Sequence, residues 1–126
     1  MDNCLFCKIV KGEIPSQKVY EDEQVFAFRD INPQAPVHVL VVPKKHISSM
    51  NDLDCADDHE IAACLRAVKR IADHEKLSEG YRVISNCGPH ACQSVLHLHF
   101  HILGGRQLKE DMTMKPAFLS GLDVRG

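Results

Sequence analysis

Three histidines, His97, His99 and His101, stand at every second position of the segment "SVLHLHFHILGG" (94–105), with Leu98, Phe100 and Ile102 between them. An imidazole is a nucleophile, an acid or base near neutral pH, and a metal ligand. In an extended chain, residues two apart share a face. The spacing therefore predicts a strand that sends three rings to one side, as a displayed reactive row, and three apolar side chains to a core on the other. The apolar set fixes the register, because a one-residue slip would bury all three imidazoles. Three uses of such a row remain open on this pattern alone: a polar strand face, a three-histidine metal site, or a nucleophile with its supporting groups. The metal reading requires considerable bending, since alternate strand positions lie about 6.5–7 Å apart and zinc–nitrogen bonds are about 2.0–2.1 Å. Directly upstream, "GPHACQSV" supplies a Gly-Pro turn followed by Gln93 and Ser94. Free backbone N–H groups and a hydroxyl beside a histidine nucleophile suit an oxyanion or phosphate cradle.

The elements that must position this row follow from local pattern. "CLFCKIVKGEIPS" begins with a short helix over Cys4–Val10. "KVYEDE" is a short strand entering an acidic turn, and "QVFAFRDI" alternates Val25, Ala27, Arg29 against Phe26, Phe28, Asp30, as a strand does. After the breaker "NPQAP", the nearly all-apolar "VHVLVVP" suits a central strand buried on both faces. The long helix signal is "CADDHEIAACLRAVKRIADHEKL", where Ile61, Cys64, Leu65, Val68, Ile71 and Ala72 form the apolar face. Asp54, Asp57 and Asp58 suit its N-terminal end. "GYRVISNCG" and "SVLHLHFHIL" complete the strands. The expected fold is α+β: an antiparallel sheet of about five strands, one long helix and one short helix, in a single domain over residues 1–109. Residues 110–126 form a C-terminal extension without a clear period.

Composition narrows the function classes. The chain has 126 residues, 44% hydrophobic and 25% charged, with a formal net charge of −2. These values fit one soluble globular domain. No basic block points to a nucleic-acid polymer, and no apolar run near 18 residues or signal-peptide pattern points to a membrane or export. The cytosol is the expected compartment, and the six cysteines are expected to be mostly reduced thiols.

"QSVLHLHFHILGGR" resembles the signature of the histidine triad (HIT) superfamily, H-x-H-x-H with apolar residues between. "CLFCKIVKGEIPS", "VYEDEQVFAFRDINPQAPVHVLVVPKKHI" and "GYRVISNCG" resemble the other blocks of that family in the same order, so the likeness runs from about Asn3 to Gln107. The Gly104-Gly105-Arg106 ending resembles the nucleotide-binding Hint branch. The resemblance implies a homodimeric nucleotidyl hydrolase acting on purine nucleoside phosphoramidates. It implies that His99 attacks the α-phosphorus and that His101 contacts the phosphate oxygens. Gln93 and Ser94 bind the phosphate and help protonate the leaving amine, and Asn86 lies near the phosphate. Asp30 holds the ribose hydroxyls, and Phe6, Phe28, Ile31 and Leu40 line the base pocket. The chain departs from the family where Ala91-Cys92 replace the Gly-Gly before Gln93, and it has no Trp.

Cys4 and Cys7 form a C-x-x-C pair. Bacterial relatives combine such a pair with residues matching His46 and His97, which implies a closed Cys₂His₂ structural zinc site. Relatives without the thiols use the matching histidines as a proton relay, and the two roles compete for the same nitrogens. Of the other histidines, His38 is expected to pack rather than react. Two rival functions stand beside phosphoramidate hydrolysis: cleavage of dinucleoside polyphosphates, and a zinc-stabilised nucleotide-binding module without useful turnover.

Overall fold

The computed structural model describes residues 3–110, so residues 111–126 of the expected extension lie outside it. Five strands form one antiparallel sheet: β1 (Lys18–Glu21), β2 (Val25–Arg29), β3 (Val37–Pro43), β4 (Tyr81–Ile84) and β5 (Phe100–Gly104), in the order β1-β2-β3-β5-β4. Two helices accompany them, α1 (Leu5–Val10) and α2 (Asp58–His74). The α+β architecture expected from sequence is the one observed.

Strand alternation divides the interior in two. Val25, Ala27, Val39, Val41, Phe100 and Ile102 face α2, where they meet Cys64, Ala67, Val68 and Ile71. Phe26, Phe28, Leu40 and Val42 face the opposite side, beneath Phe6 and Ile9 of α1. β3 is central and paired on both edges, which explains why its sequence is nearly continuous in apolar residues.

The long helix starts at Asp58, later than the beginning of the segment that signals it at Cys55. Met50–Cys55 forms a separate 3₁₀ turn that contains Asp54. Asp57 is the N-cap, and its backbone N–H donates to Glu60 Oε1 at 2.8 Å. At the other end Lys76 takes a left-handed conformation (φ 60°). The Leu77 N–H bonds to the Ala72 carbonyl and the Lys76 N–H to the Asp73 carbonyl, a Schellman ending. Leu65, expected on the apolar face, is 53% exposed. The sheet covers a narrower stripe of the helix than the sequence pattern offered.

The last strand is also shorter than expected. Only Phe100–Gly104 pairs as β5; His97 lies in a bend, its N–H on the Val95 carbonyl at 2.9 Å, and His99 precedes the strand unpaired. Their backbone groups bond elsewhere: the Leu98 N–H to the Ile47 carbonyl at 2.6 Å, and the Ser85 hydroxyl to the His99 carbonyl at 2.9 Å. Alternation nonetheless persists, because Leu98 remains in the α2-facing core.

Candidate active site and metal centre

Cross-strand register builds the floor of the site. Phe28 pairs with Leu40, and Leu40 with His101, so the three stand in a row across β2, β3 and β5. His99 lies next to His101, with ring centroids 5.1 Å apart, and Phe6 stands nearly perpendicular to His99, with ring centroids also 5.1 Å apart. The row of imidazoles is therefore not displayed: His97, His99 and His101 are 0%, 3% and 4% exposed. The expected open row is corrected by α1, which folds over that face of the sheet and covers it with Phe6.

Burial favours neutral rings. It pushes His97 and His101 down to about 4 and holds His99 below its ordinary value. Neutral imidazole carries one proton, and hydrogen bonds decide where it sits. A carbonyl only accepts, so His99 Nδ1–H donates to the His97 carbonyl at 2.7 Å, and the His99 lone pair is on Nε2. His97 Nε2–H likewise donates to the Pro43 carbonyl at 2.8 Å, which puts the His97 lone pair on Nδ1. The same sequence alternation has produced two rings with opposite tautomers.

The His97 lone pair points at two thiols. His97 Nδ1 lies 3.3 Å from Cys4 Sγ and 3.5 Å from Cys7 Sγ, and His46 Nδ1 lies 3.3 Å from Cys7 Sγ. One donor atom from each of Cys4, Cys7, His46 and His97 falls within 4.8 Å of all the others. A tetrahedral ion with bonds of about 2.3 Å to sulfur and 2.0–2.1 Å to nitrogen places S and N about 3.6 Å apart. The observed spacings fit a four-coordinate metal. Held without a cation, the Cys7 thiol is pushed up to about 11 by burial and by its neighbour Cys4; a divalent cation reverses that balance. The expected quartet is thus brought together by three separate pieces of chain: Cys4 and Cys7 at α1, His46 just after β3, and His97 before β5.

Asp30, at the end of β2, has one carboxylate oxygen on the Asn32 N–H (2.8 Å) and the other 3.4 Å from His38 Nε2. His38 in turn lies 2.9 Å from His101 Nδ1. Sequence reasoning treated His38 as packing. Its place at the site was signalled by its spacing from Leu40 on β3, two residues on the same face, but only once β3 is known to pair with β5.

The remaining expected contacts are placed unevenly. Phe6, Phe28 and Leu40 are buried around the rings. Ile31 is 99% exposed, apart from them. Asn86 is partly buried in the loop after β4, and Ser94 is exposed in the loop that precedes the row. Gln93 is turned inward: both N–H bonds of its amide are taken, by the Ser48 and Val95 carbonyls at 2.8 and 3.0 Å, and its oxygen accepts from the Gly88 N–H. It braces the loop that carries Ser94. Cys92 in that loop is left-handed (φ 63°), a conformation glycine adopts without strain.

The architecture and this arrangement define a histidine-triad hydrolase. The HIT domain family profile matches residues 11–108, and the chain belongs to that family. It is 51% identical over 107 residues, 82% of this chain and 83% of the other, to a 14 kDa zinc-binding protein of Zea mays. It is 43% identical over 108 residues, 85% of this chain and 91% of the other, to a purine nucleoside phosphoramidase of Escherichia coli K12. Among solved structures, a HIT family hydrolase from Clostridium thermocellum superposes with a TM-score of 0.85 at 43% identity, covering 90% of this chain and 99% of that one. Among the described residues no helix is long and apolar enough to cross a membrane.

Proposed function

We propose that this protein hydrolyses purine nucleoside 5′-phosphoramidates through a nucleotidyl-His99 intermediate. The observation that carries the reading is the 2.7 Å hydrogen bond from His99 Nδ1 to the His97 carbonyl. It orients the ring and leaves Nε2 free to attack, while burial keeps the imidazole neutral. In the first step the Nε2 lone pair forms a bond to the α-phosphorus as the P–N bond breaks. The departing nitrogen takes a proton relayed from solvent through the exposed Ser94 hydroxyl and leaves as a neutral amine. In the second, water attacks the phosphorus and returns one proton to solvent, the P–Nε2 bond breaks, and the nucleoside monophosphate is released with the neutral imidazole restored. His101 contacts the phosphate oxygens, and Asn86 lies beside them. Gln93, whose amide N–H bonds are both occupied, serves the phosphate by fixing the loop rather than by direct donation. Asp30 takes the ribose hydroxyls, and Phe6, Phe28 and Leu40 form the base pocket, with the exposed Ile31 available to close over a bound base.

Cys4, Cys7, His46 and His97 hold zinc. With four protein donors the ion has no open position, so it ties the segments together and activates no water. Zinc bound to Nδ1 of both His46 and His97 would occupy nitrogens that a His46–His97 proton relay needs. The β4 edge strand, with Tyr81 39% and Val83 40% exposed, is suited to joining a second copy as a homodimer. The free thiols support a reducing compartment such as the cytosol.

The test is a panel of adenosine and guanosine 5′-phosphoramidates assayed beside a diadenosine polyphosphate. The proposal expects a higher kcat/KM on the phosphoramidates. A preference for the polyphosphate, or nucleotide binding without turnover, overturns it.

A further inference from the structure

His101 Nε2 is buried and has no hydrogen-bond partner among the described residues, the one side-chain nitrogen or oxygen there of which this is true. An unpaired polar nitrogen in such a place has lost its water without a replacement partner. Its usefulness depends on whether it carries the proton, and that is decided on the far side of the ring. His101 Nδ1 lies 2.9 Å from His38 Nε2. A proton must lie between these two nitrogens, on one or the other.

The backbone of the preceding turn resolves which. The Gln34 N–H donates to His38 Nδ1 at 3.0 Å. An N–H cannot accept, so His38 Nδ1 is a lone pair and the single proton of neutral His38 sits on Nε2. Burial keeps His38 neutral, against the opposing pull of Asp30. Asp30 Oδ2, 3.4 Å from His38 Nε2, favours the same tautomer by attracting that proton. His38 Nε2–H therefore donates to His101 Nδ1, and His101 is left with its proton on the unpartnered Nε2. The alternative use of Asp30, His38 and His101 as a metal site, which their proximity would allow, requires a lone pair on His38 Nε2. It would then set a His38 Nδ1–H against the Gln34 N–H.

We propose that His38 is a positioning residue, which fixes His101 as the Nε2–H tautomer and so turns the unpartnered nitrogen into a hydrogen-bond donor aimed at the transferring phosphoryl group. The chain of contacts runs Gln34 N–H, His38, His101, then substrate. Asp30 reinforces it from the ribose end. The value is transition-state stabilisation: a pre-oriented donor in a dry site, where charge develops on the phosphate oxygens. The His99 tautomer is set separately by a backbone carbonyl, so the two rings are adjusted independently. This inference rests on the phosphoramidate reading for its kinetic arm, and its tautomer arm stands without it.

The experiment combines ring-nitrogen NMR of ¹⁵N-histidine-labelled protein with steady-state kinetics on adenosine 5′-phosphoramidate, for the wild type, His38→Leu and His38→Gln. A Gln amide can place an N–H where His38 Nε2–H stood. The wild type is expected to show His101 protonated on Nε2 and His99 on Nδ1. In His38→Leu the His101 signals shift toward a mixture of tautomers while those of His99 stay, and kcat falls on the order of 10- to 100-fold with KM little changed. His38→Gln recovers the His101 Nε2–H signature and most of the lost turnover. A wild-type His101 protonated on Nδ1, or a His101 tautomer unaltered in His38→Leu, overturns the proposal. A wild type inactive on the phosphoramidate, yet with the expected His101 spectrum and its response to the substitutions, sinks the functional reading and leaves the positioning role intact.

Discussion

The imidazoles of His97 and His99 sit two residues apart and yet present opposite nitrogens to their partners. The difference comes from which carbonyl each ring meets: Pro43 for His97 Nε2, and His97 itself for His99 Nδ1. One ring thereby offers Nδ1 to the thiols, and the other keeps Nε2 for the attack proposed above. This division assigns distinct expectations to the two residues. Replacing His99 with Ala removes the atom proposed to attack and leaves Cys4, Cys7, His46 and His97 in place. Turnover on an adenosine phosphoramidate is expected to fall by about 10⁴-fold or more, while binding of adenosine monophosphate, measured by titration calorimetry, changes only severalfold. Comparable losses of turnover and binding would instead mark His99 as a structural residue. At this scale the sequence was most informative where residue type and spacing restrict chemistry: the triad, the C-x-x-C pair and Asp30 were legible as candidates. The hydrogen-bond partners of Gln93 and His38 were not legible, because an amide or imidazole reveals its partners only when the fold brings backbone to it, Ser48 across the chain in one case and Gln34 in the preceding turn in the other.

Among the elements, β5 shows why strand ends are harder to read than strands. The alternation of Leu98, Phe100 and Ile102 continues through residues that pair and residues that do not, so periodicity could not mark where pairing begins at Phe100. Burial of the histidine face was equally illegible, since it depends on α1 folding back across the sheet. That return is secured at Cys4 and Cys7, whose thiols meet His46 after β3 and His97 before β5. With zinc in the proposed site, metal binding would be folding free energy for α1. Cys7→Ser is expected to reduce bound zinc from one per chain to a small fraction and to lower the melting temperature by roughly 10 °C. A strong chelator should cause the same fall in the wild type and little further change in the variant. Equal melting of the two proteins, with no metal in either, would show that α1 is held by Phe6 and Ile9 packing alone.

For the whole molecule, the two-sided sheet separates stability from chemistry. The α2 face is a conventional apolar core, whereas the α1 face buries four histidines, His38, His97, His99 and His101. Stability must then depend on pH. Burial pushes His101 down to about 4 and lowers His38, against an ordinary value near 6.5. Between those limits the unfolded chain binds protons that the folded one refuses. Stability is therefore full above about pH 6.5 and declines as the pH falls toward 4, by on the order of 3 kcal/mol for His101 alone. Urea unfolding midpoints at pH 7.5 and 5 should show the drop, and His101→Gln should reduce it; midpoints that do not move with pH contradict the burial argument.

The central claim is that His99 Nε2 becomes bonded to phosphorus, and it is tested most directly by acid-free quenching during turnover of an adenosine phosphoramidate, followed by digestion and mass spectrometry. The account predicts an adenylyl group on the peptide containing His99, absent from His99→Ala. Turnover with no adduct on any peptide, or an adduct on a different residue, would contradict it.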